Sequence, residues 1–323
     1  MNILAATIAA VISLSTLTLS TAHAQAKPQE VRVAMLPPSA LQWLHAIAEK
    51  QGFYGKHGVL VRELRASDSP ALLQAVSSGS ADAGISLGDL AVRAIDKGAP
   101  IVITGAVLQK TILRLYGDKS VQGAKDLAGK KVTAGAVRGG TANLLKYQLQ
   151  QVGVDPASVQ MVSIPNSRDR IVALENGQVT GALLIPPFDT LAERKGAKMF
   201  HVYREPYVQT PLIVNKTWAA ANRGAATGVT QALRDAAQWV NQPANKDAAI
   251  DILAGYTGVA RDICVESYAF IIQDQKAIST DLSFASAGLE NLFKIDAAVG
   301  GEGGAQSFQL SRYFDASFLN AKP

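Results

Sequence analysis

The residue best placed to do chemistry in this sequence is an arginine in a glycine-rich bend. "VTAGAVRGGTAN", residues 132–143, reads as a strand, a bend and a helix start, with Arg138 inside the bend. It is not a P-loop, because the Gly-Lys-Ser/Thr ending is missing. It is not a dinucleotide fingerprint either, since Gly135, Gly139 and Gly140 do not fit G-x-G-x-x-G. What remains is a strand-to-helix anion nest. Gly139 and Gly140 allow close approach, and Thr141 offers a hydroxyl and an N–H. Arg138 can clamp a carboxylate or sulfonate through two parallel hydrogen bonds. The competing reading is an arginine facing solvent at a loop tip.

Other chemistries find little support. The four histidines, His23, His45, His57 and His201, are far apart, and no HExxH, GxSxG or Cys-His pairing occurs. The only cysteine, Cys264, excludes an internal disulfide, a cysteine zinc cluster and a redox pair. It lies in the apolar stretch "RDICVESYAFII" and reads as a small buried hydrophobe. No catalytic residue, metal or cofactor is therefore expected. The formal net charge of +5 is mild, and Lys and Arg are dispersed without a basic run or aromatic interleaving. That pattern excludes a nucleic-acid footprint and suits an acidic ligand or partner surface.

The elements that must position these residues alternate short apolar runs with amphipathic ones, the grammar of an α/β sheet protein. "VRVAML", "GVLVRELRA", "ADAGIS" and "APIVITGAV" read as strands, with helices between them. The pattern restarts with "TILRLYG", "KKVTAGAV", "VQMVSIP", "VTGALLIPP", "KMFHVYR" and "QTPLIVN". Beyond Asn215 the chain reads as almost wholly helical. A length of 323 residues and two comparable alternating blocks predict two lobes. No Pro- or Ser-rich tether separates them, so strands are expected to cross between lobes near 108–111 and 205–210. The expected division is lobe 1 from 25–108 and 210–323, and lobe 2 from 109–209.

The first 24 residues differ from the rest: they hold no Asp, Glu, Lys or Arg and end in Ala22-His23-Ala24. An apolar run followed by a small-x-small tripeptide predicts a cleaved export signal, with a membrane anchor as the alternative. No cysteine stands near the cleavage point, which argues against a lipid-anchored form. The mature protein is expected in the periplasm.

Four segments carry a family likeness: "EKQGFYGKHGVLVRE", "LQAVSSGSADAGIS", "DLAGKKVTAG" and "IVALENGQVTGALLIPPFDTLAERKG". Their order and spacing resemble substrate-binding proteins of ABC importers, in the branch of nitrate, sulfonate, taurine and thiamine-precursor binders. The likeness covers about residues 31–215. It implies an α/β, two-lobed type II periplasmic binding protein, each lobe a mixed sheet flanked by helices, with a helical C-terminal region. It also implies a small-molecule anionic ligand, an ABC permease in the inner membrane as partner, and a monomer. One departure is Thr180-Gly181-Ala182, where many relatives carry Val-Asp-Ala.

In such sheets ligands sit beyond the carboxyl ends of strands, where helix N-termini point free N–H groups into the cleft. The first lobe offers Pro38, Ser39 and Trp43, then Ser67, then Ser86, Leu87 and Gly88. Ser39 also reads as a helix cap, as do Asp68 and Ser69; a carboxylate at Asp68 would repel an anion. The second lobe offers Arg138, Gly139, Gly140 and Thr141, then Asn166, then Pro187 and Phe188. Arg168 and Arg170 read as surface residues of the helix after Asn166. Trp43 and Phe188 would suit an aromatic or alkyl-bearing sulfonate or carboxylate, with ordinary packing as the alternative for Phe188. Two further readings stay open: an enzyme of the same fold acting on a small precursor, and a receptor presenting its ligand to a sensor.

Overall fold

The structure, a computed structural model, describes residues 27–301 and 308–320. The expected leader, residues 1–24, lies outside the described residues, as does most of the glycine-rich turn after Gly300. The strands are β1 (Gln29–Met35), β2 (Val59–Arg65), β3 (Ala83–Ile85), β4 (Ile101–Lys110), β5 (Arg114–Gly117), β6 (Lys131–Thr133), β7 (Gln160–Met161), β8 (Gly181–Leu184), β9 (Lys198–Val202) and β10 (Pro206–Asn215).

They form two five-stranded mixed sheets, ordered β2-β1-β3-β10-β4 and β7-β6-β8-β5-β9. In the first, β1 runs parallel to β2 and β3, and β10 runs antiparallel to β3 and β4. In the second, β6 runs parallel to β7 and β8, and β5 runs antiparallel to β8 and β9. This is the two-lobed α/β architecture of periplasmic binding proteins. β4 and β10 are near-continuous apolar runs because they are covered on both faces. β2 lies on an edge and mixes apolar with charged residues, which protects an exposed edge from pairing with other chains.

Several strands are shorter than the apolar runs suggest. "VQMVSIP" pairs only over Gln160–Met161, and "VTGALLIPP" only over Gly181–Leu184. Both runs end in proline, which has no N–H to donate to a ladder. "TILRLYG" begins pairing only at Arg114. Its first residues serve the crossing between sheets, where the Thr111 hydroxyl accepts from Leu113 N at 3.1 Å. The helix in "RDICVESYAFIIQ" spans Arg261–Tyr268 and then widens to π spacing over Ala269–Asp274. Cys264 is buried there, and burial pushes its thiol up to about 11, so it stays a neutral thiol at physiological pH.

The chain passes between the sheets twice, between β4 and β5 and between β9 and β10. One side chain ties both passages together. Gln275 Nε2 donates to Thr111 O at 2.7 Å and to Tyr203 O at 2.8 Å, and the residue is fully buried. The segment around it then follows β4, with Gln109 N bonded to Ala277 O and Ala106 N to Leu282 O. Lys276 and Leu282 take left-handed backbone angles, with φ of 51° and 53°, on either side of this track. A left-handed non-glycine residue costs roughly 1–2 kcal/mol, so the packing against β4 must outweigh that.

Gln275→Leu would leave the Thr111 and Tyr203 carbonyls buried without a donor. A buried acceptor stripped of its partner costs about 1–3 kcal/mol, so the variant is expected to lose roughly 2–4 kcal/mol in urea unfolding. A loss under about 0.5 kcal/mol would show that Gln275 does not hold the crossing segments.

Candidate functional site

A cleft of about 460 Å³ lies between the two sheets. Its wall comes from the loops after β1, β2 and β3 on one side and after β6, β7 and β8 on the other. A third contributor is the C-terminal end of the helix Lys246–Thr257.

The first sheet supplies Pro38, Ser39 and Leu87 to this wall. The Ser39 hydroxyl is occupied locally: it accepts from Leu41 N and donates to Gln42 Oε1 at 3.0 Å, so its role is capping. Trp43 is elsewhere. It starts the helix Trp43–Lys50, is fully buried, and its indole N–H donates to Ala249 O at 3.0 Å. The placement of Trp43 in the cleft is corrected: the ring packs edge-on against Tyr268, on the apolar stripe it shares with Leu44 and Ile47. Ser67 is exposed and off the wall. Asp68 caps the next helix, accepting from Ala71 N at 2.9 Å.

Ser86 is buried behind the wall rather than on it. Gly88 is also off the wall, and the reason for its glycine is different from the one expected. A Cβ there would lie 1.7 Å from Val208 O, so the glycine admits β10 and not a ligand. The next residue, Asp89, is buried against Arg93, whose Nε and Nη2 reach it at 2.8 and 3.2 Å.

The Arg138 bend also departs from expectation. Arg138 is exposed and absent from the cleft wall. A Cβ on Gly140 would lie 2.7 Å from Leu87 Cβ of the opposite loop, and one on Gly139 would meet Ala136 O of its own bend at 3.0 Å and Ser69 Oγ across the cleft at 3.1 Å. These glycines let the two lobes touch. Thr141 is on the wall, but its hydroxyl donates to Ala134 O within the same bend.

The polar end of the cleft is the start of the helix Ser167–Glu175. Asn166 is on the wall as the N-cap, accepting from Asp169 N at 2.9 Å and donating Nδ2 to Asp169 Oδ2 at 2.6 Å. Ser167 is 4% exposed, lines the cleft, and its hydroxyl has no partner among the described residues. Arg170, expected at the surface, is buried and on the wall. Its Nε donates to Ile164 O at 2.8 Å, Nη1 to Leu183 O at 2.7 Å and Nη2 to Pro165 O at 2.6 Å. Among the described residues no carboxylate forms an ion pair with it. Burial lowers its pKa to about 9, against a pull upward from Asp169, so it stays cationic at neutral pH. Arg168, also expected at the surface, lines the cleft. It donates to Thr257 O at 2.7 Å and lies over the Phe188 ring at 5.2 Å.

Phe188 is on the wall, and Pro187 is buried beside it. Behind Phe188, Asp189 is fully buried and accepts Arg114 Nε and Nη2 at 2.8 and 2.6 Å. Burial pushes its carboxyl upward, and the arginine opposes that. Tyr256 completes the wall and was not foreseen. The wall carries no histidine and no cysteine among the described residues. Likewise, no group of three or more His, Cys, Asp or Glu among them is arranged to hold a metal ion, and no helix is long and apolar enough to cross a membrane.

Two mixed sheets facing a cleft built from strand-end loops define the periplasmic binding protein fold of ABC-importer substrate-binding components. The profile of the family described as NMT1/THI5 like matches residues 45–246, and the chain belongs to that family. Solved structures share the fold. A protein from Bordetella bronchiseptica RB50 is 19% identical with a TM-score of 0.79, over 91% of this chain and 96% of that one. The alkanesulfonate-binding protein SsuA from Xanthomonas axonopodis pv. citri, bound to MOPS, is 16% identical with a TM-score of 0.70, over 85% and 94%. The desulfurization enzyme DSZB is 16% identical with a TM-score of 0.63, over 90% and 98%. Among curated proteins no sequence matches significantly.

Two consequences can be measured. Burial pushes the Asp89 carboxyl up from 3.8 to about 6, against the pull of Arg93, and Asp296 adds to the rise. The folded chain therefore holds this proton more tightly than the unfolded chain. Its contribution is fully present below about pH 4 and is lost as pH rises through about 6. The stability of the wild type relative to Asp89→Asn should fall by about 3 kcal/mol between pH 4 and pH 7 in urea unfolding. A pH-independent difference would mean that Asp89 does not titrate in that window. Separately, Arg170→Met should cost about 3 kcal/mol or more, because three carbonyls lose their donor together. Wild-type stability in that variant would show that the guanidinium does not hold the loops.

Proposed function

We propose that this protein is an exported substrate-binding component of an ABC importer, taking up a small organic anion, a sulfonate or carboxylate. In this reading its leader is removed near Ala24, and the mature chain works in the periplasm as a monomer. Lobe 1 (25–108 and 210–323) and lobe 2 (109–209) enclose the ligand, and the complex delivers it to a permease in the inner membrane.

The observation that carries the anionic class is Arg170: a buried cation on the cleft wall whose hydrogen bonds all go to neutral carbonyls. A buried charge without a counter-ion is costly, and an anion in the cleft would offset that cost. Of the two carboxylates on the wall, Asp68 accepts from Ala71 N of its own helix and Asp169 accepts from the Asn166 side-chain amide, and the Asp169 charge offsets that of Arg170 in part. The unpartnered Ser167 hydroxyl at a helix N-terminus is a second donor for the same anion. Pro38, Leu87 and Phe188 supply the apolar wall for its organic part, whether ring or alkyl chain. The anion clamp of this reading is Arg170, not Arg138. In this reading the ligand is captured without turnover, although one neighbour of this fold is an enzyme.

Calorimetry with ethanesulfonate, benzenesulfonate and benzoate tests the reading. At least one should bind, and at 100 times its Kd it should raise stability by about 2.7 kcal/mol. Ser167→Ala should weaken that ligand roughly tenfold or more, as expected for a hydrogen bond to a charged group. Arg138→Ala should leave its affinity unchanged. Failure of every sulfonate and carboxylate would sink the anionic reading, and a tenfold loss in Arg138→Ala would return the clamp to the bend.

A further inference from the structure

A second cavity, of about 510 Å³, lies on the flank of the first lobe. It is formed between the helix Trp43–Lys50, β2 and the helix Lys246–Thr257. Gly255 and Tyr256 line both this cavity and the cleft. The glycine has no side chain, so Tyr256 is the shared residue that brings a side chain to both spaces.

That ring is held from several directions. Arg65 Nη1 donates to its hydroxyl at 3.0 Å, and the guanidinium lies 5.5 Å from the ring centre. The same Nη1 donates to Leu36 O, which belongs to the cleft wall, at 2.9 Å. His45 meets the ring edge-on at 6.2 Å. His45 is itself fixed by Tyr54 at 2.9 Å and Glu63 at 2.8 Å, and Glu63 pairs with Arg65. A partly buried phenol with this much support does not swing aside without breaking a charge-assisted hydrogen bond.

We infer that Tyr256 is a specificity-determining residue that limits ligand length by closing the cleft against the flanking cavity. The inference rests on the anion reading above: the acid group is seated near Ser167 and Arg170, and the organic tail extends along the apolar wall until it meets Tyr256. Behind the ring the chemistry changes. Glu49, Glu63 and Asp251 line the flanking cavity, against Lys50 and His45. With Tyr256 removed, that space would admit the neutral tail of a longer monoacid and disfavour a second anionic group.

The test is calorimetry with unbranched alkanesulfonates from ethane to decane, on the wild type, Tyr256→Ala and Tyr256→Phe, each first checked for cooperative thermal unfolding. In the wild type, affinity should rise about fourfold per methylene, as expected for burial of a CH₂, and then stop rising at a defined length. In Tyr256→Ala the rise should continue for at least two further carbons, so the longest chains bind tenfold or more tighter than to the wild type. Tyr256→Phe keeps the ring and should keep the wild-type length limit. An α,ω-disulfonate of the extended length should gain nothing in Tyr256→Ala. Coincident length profiles for wild type and Tyr256→Ala, with short chains still binding, would overturn the partition and leave the anion reading intact. No binding of any sulfonate, or of the matching unbranched carboxylates run alongside, to any of the three proteins would overturn both.

Discussion

The architecture depends on one constraint: a chain that builds a second sheet in the middle of the first must leave and return at neighbouring points. Thr111 and Tyr203 stand at those points, and both carbonyls are buried where no ladder can serve them. The Gln275 amide supplies a donor to each. Its own Oε1 has no partner among the described residues, a residual cost accepted for the double bond. This also gives the helical C-terminal region a structural purpose. It carries Gln275 to the crossing and runs the 276–283 segment along β4, through two left-handed residues, so that the passages stay together.

The same reasoning explains the charge in the cleft. Arg170 is the device that shapes the loop after β7. Three carbonyls from two strands' ends converge on one planar guanidinium, which no lysine ammonium could satisfy with the same geometry. Because the hydrogen-bond partners are neutral, the loop is organised without an ion pair, and Asp169 nearby offsets the charge only in part. A carboxylate partner, as Asp189 provides for Arg114, would have given an equally ordered loop without field in the cleft. The contrast between these two arginines, one paired with a carboxylate and one with carbonyls, is the contrast on which the proposed anion site rests.

Much of the fold is legible in the residues. The alternation of strands and helices, the switch to helix after Asn215 and the caps at Ser39 and Asp68 follow from periodicity and side-chain chemistry that act within a few positions. The site is less so, and the reasons differ by residue. Arg170 had a readable signal: Ser167, Arg170, Ile171 and Leu174 fall at i, i+3, i+4 and i+7, all buried, which puts the arginine on the core stripe of its helix. Trp43 had the same signal with the opposite consequence. Nearness to a cleft loop outweighed its position on the stripe with Leu44 and Ile47. Gly88, Gly139 and Gly140 read as places where a ligand approaches the backbone, but a glycine does not say what approaches. Here the partners are Val208, Ser69 and Leu87. Tyr256 had no local signal at all. It reaches the cleft because a helix far along the chain packs against the first lobe, and only tertiary structure shows that.

The polar contacts that join the lobes are unequal, and their placement bears on how a ligand would act. Ala40 N donates to Pro186 O at 3.1 Å, and Arg168 donates to Thr257 O at 2.7 Å; both lie at the cleft. Farther out, Arg194 pairs with Asp262 and Glu266. Those partners are all substantially exposed, so solvent screens the pairs and they add little. Asn143 also donates to Asp296 across the lobes, and the crossing segments are tied by buried bonds. Under the proposed function, a ligand that touches both walls adds its differential affinity to these contacts, and the balance between the lobes becomes sensitive to occupancy. Arg168 occupies a telling position in this respect. It starts on the second lobe, lies over Phe188, and ends on the carbonyl at the end of the helix that carries Tyr256. Any displacement of that arginine by an acid group would be felt at once by the interlobe contact and by the wall that bounds the ligand.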